Sequence, residues 1–64
     1  MKYDLTTVDS NAYCIMGYII AGMRKEGFTE QQIKEYKSKA MSSDYNNLVA
    51  VSLDYLEMLN DTNR

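Results

Sequence analysis

The stretch FTEQQIKEYKSKAM, residues 28–41, decides the fold. Thr29 followed three residues later by Gln32 is the signature of a capping box, in which each side chain satisfies a backbone N–H left open near the helix start. Phe28 precedes the cap and Ile33 stands at the fourth helical position, the two places of a hydrophobic staple. Ile33, Tyr36, Ala40 and Met41 then recur at helical spacing, while Lys34, Glu35, Lys37, Ser38 and Lys39 fill the opposite side. A start signal and a divided surface together predict an amphipathic helix over residues 30–41.

Upstream, Gly27 can take φ > 0 at no steric cost and so stops a preceding helix. Ala12, Ile15, Met16, Ile19, Ile20 and Met23 repeat at helical spacing before it, and Arg24 and Lys25 sit in the last turn, where cations suit the dipole. Asp9 or Ser10 offers the cap; with Asp9 there, Val8 and Tyr13 form a staple. This predicts a helix over 10–26. Downstream, Ser42, Ser43 and Asp44 break the pattern and cap a third helix over 44–59. Its stripe is Tyr45, Leu48, Val49, Ser52, Leu53, Leu56 and Leu59. Tyr13, Tyr36 and Tyr45 read as half-buried on these stripes. The polar end from Asn60 reads as fraying. In residues 1–8, Tyr3, Leu5 and Thr7 alternate with Lys2, Asp4 and Thr6, the period of an extended arm or a single strand. The expectation is an all-α fold: one three-helix domain over residues 1–64 with an extended N-terminal arm.

The composition narrows the chemistry. Sixty-four residues make about one small domain, and 45% hydrophobic content is enough for a core. A net charge of −2 disfavours a partner of duplex DNA or RNA, which is held by neutralising phosphates. There is no His and only one Cys, so a conventional zinc site, a histidine base and an internal disulfide are not expected. Cys14 reads as a reduced thiol that packs as a small apolar residue. The apolar stretch from Tyr13 to Met23 is broken by two glycines and is shorter than the ~20 residues that span a bilayer. No secretory leader is visible, and a cytoplasmic protein without a membrane partner is expected. The carboxylates stand at caps or on charged faces, with no pair spaced for acid–base work. The expectation is a non-enzyme with no metal and no cofactor.

What three helices leave uncovered is the more informative feature. The first helix carries a second face, Cys14, Gly17, Tyr18, Ala21 and Gly22. Each helical glycine costs about 1 kcal/mol relative to alanine, which close approach of another element offsets. The third helix carries a matching surplus, Val51, Tyr55 and Met58. These two faces predict an interface between copies of the chain, a homodimer or higher homo-oligomer. The competing reading is that the arm folds over the first face within one monomer. A ligand site is predicted at the start of the third helix, where Ser42, Ser43, Tyr45, Asn46 and Asn47 offer hydroxyls, amides and a stacking ring. Arg24, Lys25 or Lys34 from another subunit would meet the phosphates of a nucleotide there.

At Asp9-Ser-Asn-Ala-Tyr13-Cys-Ile-Met-Gly17 and at Ala40-Met-Ser-Ser-Asp-Tyr45-Asn-Asn-Leu48 the chain resembles a family of small, mostly phage- and prophage-encoded proteins of unassigned function. It departs from their pattern at Ser10 and Ser43, where glycine is frequent. The resemblance covers about residues 9–59 and implies a phage-type origin and an all-helical fold. With the surplus faces, it leads to the expectation of a non-enzymatic protein that modulates or inhibits a host system, defence systems included, through a protein–protein interface. The alternatives are an oligomeric sponge that sequesters a nucleotide signal and a structural or assembly accessory.

Overall fold

The computed structural model describes residues 2–62, which contain three helices and no strand. These are α1 (Ala12–Lys25), α2 (Glu30–Ala40) and α3 (Tyr45–Thr62). The all-α, three-helix expectation holds, with helix borders moved by at most three residues.

Helix α2 starts as its sequence dictates. Thr29 Oγ1 accepts the Gln32 N–H at 3.1 Å, and Gln32 Oε1 accepts the Thr29 N–H at 2.8 Å. Helix α1 starts later than expected because three capping residues stand in a row and the last one prevails. Asn11 Oδ1 accepts the Tyr13 N–H at 2.9 Å, while Asp9 turns its carboxylate to the Asn11 N–H at 2.8 Å. With Asn11 as the cap, the staple positions fall on Ser10 and Ile15, so Tyr13 is released and stands 76% exposed rather than half-buried. Helix α1 is stopped by Gly27 just beyond its C-cap Glu26, where a φ of 85° closes a Schellman motif. Phe28 N–H reaches the Met23 carbonyl at 2.9 Å and Gly27 N–H the Arg24 carbonyl at 3.2 Å. Met41 caps α2 rather than belonging to it. Asp44 caps α3 by accepting the Asn47 N–H at 3.0 Å.

Helix α3 is the central element: it packs on both α1 and α2, which meet each other far less. Ile19, Met23, Ile33, Tyr36 and Leu59 are sealed between the three. Ser52 on the α3 stripe is fully buried and shares a 2.7 Å hydrogen bond with the Tyr36 hydroxyl. Burial pushes the Tyr36 phenol above its ordinary value of 10.0; the Ser52 hydrogen bond opposes this and the nearby Tyr55 adds to it.

The arm is not free. Tyr3 is buried against α1 and α3. Its backbone is held at both ends by one side chain: Tyr3 N–H donates to Asn60 Oδ1 at 2.8 Å, and Asn60 Nδ2 donates to the Tyr3 carbonyl at 2.9 Å. The Tyr3 hydroxyl donates to Glu26 at 2.5 Å, and Lys2 pairs with the same carboxylate at 3.5 Å. Asp4 N–H donates to the Tyr18 hydroxyl at 3.1 Å, and the Tyr3 and Tyr18 rings meet edge to face at 6.2 Å. Beyond Asp4 the chain is not extended, correcting the arm's expected conformation over its second half. Thr6 donates N–H and hydroxyl to Asp4 Oδ1, and Val8 N–H closes a turn on the Leu5 carbonyl at 3.1 Å. The end of α3 is corrected as well. Helix α3 runs past Asn60 to Thr62, and Asn60 is the clamp; Asn63 and Arg64, also expected to fray, lie outside the described residues.

Candidate functional site

The two expected interface faces do not form one open surface in this chain. Gly22 is buried: a Cβ there would stand 3.0 Å from the Tyr3 ring and 3.0 Å from Leu59. The close approach that its missing side chain permits is made by the chain's own arm and by α3, which corrects its placement on an outer interface. Tyr18 is partly buried under the arm. Tyr55 is partly buried against α2, its ring 4.9 Å from that of Tyr36 and 6.0 Å from the Lys39 ammonium. Val51 packs on the core. Cys14, Gly17, Ala21 and Met58 are exposed, so Cys14 does not pack as a core residue. Gly17 has open space around it.

The expected ligand residues are engaged in turning the chain from α2 into α3. Ser42 Oγ donates to the Lys39 carbonyl at 2.7 Å, and Asn47 Nδ2 donates to the same carbonyl at 2.9 Å. Ser43 and Asn46 lie exposed beside them. The Tyr45 hydroxyl donates to the Ser10 carbonyl, tying α3 to the segment before α1. Arg24 lies at the far end of α1, in an exposed pair with Glu30 at 3.4 Å. Within one chain it is not brought to Ser42–Asn47.

A different site emerges from the packing. Where the first half of α1, the face of α3 and the Leu5–Val8 turn converge, the side chains do not close. A groove of about 480 Å³ runs there, with Ile15 and Leu56 as its floor and Leu5, Val8 and Val49 as its walls. Leu53, expected in the core, stands over it 49% exposed. Helix α3 is apolar over a wider arc than α1 and α2 can cover, and Leu53 lies at the uncovered edge. Several polar groups in the lining are engaged within the chain: Thr6 donates to Asp4 Oδ1, and the Ser10 carbonyl takes the Tyr45 hydroxyl. A second hollow of about 300 Å³ opens on the other side of Tyr45, between Tyr13, Met16, Met41 and Leu48. Tyr45 lines both, so exposed apolar surface runs continuously around that end of the domain.

The sequence places Val49, Leu53 and Leu56 on one stripe but does not reveal the groove, because the alternation of residues 1–8 points to extended chain where the structure has the Leu5–Val8 turn that walls it. The only signal was the breadth of the α3 stripe.

Among the described residues there is no group of His, Cys, Asp and Glu side chains placed to hold a metal ion, and no helix long and apolar enough to cross a membrane. Comparison with known protein families, curated proteins and solved structures finds no match.

Proposed function

We propose that the chain is a non-catalytic binding protein of phage type, which modulates or inhibits a host system, a defence system among the candidates, by occupying a protein surface. The observation that carries this reading is the open groove over Leu53 and Tyr45. A soluble domain does not gain by leaving two large apolar side chains about half exposed beside a hollow unless something seats there. Its floor and walls are apolar, which supports an apolar protein surface as the occupant.

The test is capture from host lysate by the intact chain, run beside Leu53→Gln and Tyr45→Ser. The expected result is a host protein retained by the parent chain and lost with both variants. Recovery of the chain alone, or a partner held equally by all three, would remove this reading.

A further inference from the structure

The charge around the groove narrows the partner. Residues 3–23 and 40–60, which supply its walls and floor, hold five carboxylates (Asp4, Asp9, Asp44, Asp54 and Glu57) and no Lys or Arg. Asp4 lines the groove, Asp9 lies between the lining residues Val8 and Ser10, and Glu57 follows Leu53 by one turn on the same side of α3. The cations of the described residues are Arg24 and Lys25 at the end of α1, Lys34, Lys37 and Lys39 on α2, and Lys2 on the arm, which pairs with Glu26. An apolar trough with an acidic rim is complementary to an apolar ridge flanked by cations.

Along α3 the trough runs from Tyr45 to Leu56, about 17 Å at the helical rise. That matches three turns of a helix whose apolar residues recur at i, i+3 or i+4, and i+7. The cationic helix of a second copy, α2, does not supply such a ridge, and the exposed stripe of α1 carries cations only at its end, in Arg24 and Lys25. The outward residues of α2 are all polar, and groove-to-groove contact would set carboxylates against carboxylates.

We infer that the groove over Leu53 takes an amphipathic helix bearing Lys or Arg along the edges of its apolar stripe. This rests on the protein-binding reading above and names the chemistry of the partner for that same groove.

The probe is a pair of synthetic helical peptides of about three to four turns, identical in their leucine stripe and differing only in Lys against Glu at the flanks. The isotope-labelled full chain is titrated with each and followed by amide shifts. The Lys peptide is expected to bind about tenfold tighter than the Glu peptide at low salt. Its advantage should shrink as ionic strength rises toward about 0.3 M. The shifts should centre on Val8, Val49 and Leu53. Leu53→Gln, whose side chain is half exposed and whose fold is checked by its melt, should weaken the Lys peptide about fivefold. Glu57→Lys, which leaves Asp4, Asp9 and Asp44 in place, should reduce the preference for the Lys peptide.

Equal binding of the two peptides, absence of binding, or shifts centred on Cys14, Gly17 and Ala21 would each overturn the assignment. So would movement of the groove amides with protein concentration alone, the mark of a second copy as occupant. These outcomes leave the lysate result untouched, so the partner's chemistry and the protein-binding reading fail separately.

Discussion

Two apolar surfaces flank the α1–α3 packing, built from similar residues, and they end differently. At one, Gly22, Tyr18 and Leu59 are closed over by Tyr3. At the other, Ile15, Val49, Leu53 and Leu56 remain under an open groove. Both are served by the same N-terminal arm, and the difference lies in how its polar groups are tied. Asn60, Glu26 and Tyr18 hold the arm at Tyr3 and Asp4. The Asp4–Thr6 contacts then turn the chain along the lip of the groove instead of across it. An arm of this length covers one surface and borders the second. The excess of apolar helix surface in the sequence is thus divided between a structural contact and a candidate binding site.

The largest expected effect comes from undoing the closed side. Tyr3→Ala removes a buried ring and its hydrogen bond to Glu26 and should cost about 2–4 kcal/mol. Asn60→Ala strips both bonds from the Tyr3 backbone and should cost about 1–3 kcal/mol. Total stability for a chain of this size is of the order of 3–10 kcal/mol, so both variants should show large drops in melting temperature. Equilibrium denaturation checks this. A loss below about 0.5 kcal/mol for Tyr3→Ala, the scale of an ordinary surface change, would show that the arm seals nothing and that the two surfaces are equally open.

The two helical glycines sharpen the contrast. Alanine at Gly17 meets no atom within 4 Å, so only helix propensity acts and the variant should gain about 0.5–1 kcal/mol. Alanine at Gly22 presses on both Tyr3 and Leu59 at 3.0 Å, and the overpacking outweighs the same propensity gain, for a net loss of about 1 kcal/mol. Opposite signs in thermal melts are the expected outcome. Equal gains at both positions would mean that the arm yields freely and does not depend on the missing side chain.

What was readable in advance follows the range of the interactions. The Thr29–Gln32 box and the Gly27 stop are complete within a few residues, so local pattern located them. The start of α1 is not legible because Asp9, Ser10 and Asn11 are nearly equivalent caps, and local pattern does not choose among them. The clamp between Asn60 and Tyr3 spans 57 residues of sequence and has no local signature; a terminal asparagine looks the same whether it frays or binds a backbone. The buried Tyr36–Ser52 pair is hidden in the same way, since a serine on an apolar stripe does not announce its partner. Gly22 shows the limit of pattern reading: the need for close approach was legible, but which element approaches was not. The groove depends on the Leu5–Val8 turn, which alternating residues disguised as extended chain, so the candidate site was the least legible part of the molecule.

A smaller effect is expected on the open side. Leu53→Gln changes a side chain that is 49% exposed, and its folding free energy should stay within about 0.5 kcal/mol of the parent. Set against Tyr3→Ala, this variant separates the two surfaces: one holds the fold, the other does not. A loss for Leu53→Gln approaching that for Tyr3→Ala, read by the same denaturation series, would place the groove in the core and end its candidacy as a docking surface.

The last prediction concerns the hinge between the two surfaces. The hydroxyl and N–H of Thr6 both donate to Asp4 and hold its carboxyl below the ordinary value of 3.8. The folded chain therefore binds this proton more weakly than the unfolded chain, so the stabilising contribution is complete above 3.8 and is lost as pH falls through the lower folded value. The group is exposed and water screens it, so this effect ranks below the others. Asp4→Asn keeps an acceptor for Thr6 but does not titrate. The parent should exceed this variant in stability near neutral pH, and the gap should close on acidification. Amide shifts of Thr6 and Val8 in the parent should move over the same range, because the turn loosens first. A gap that does not depend on pH would show that the carboxylate does not hold the turn, and the lip of the groove would then need another origin.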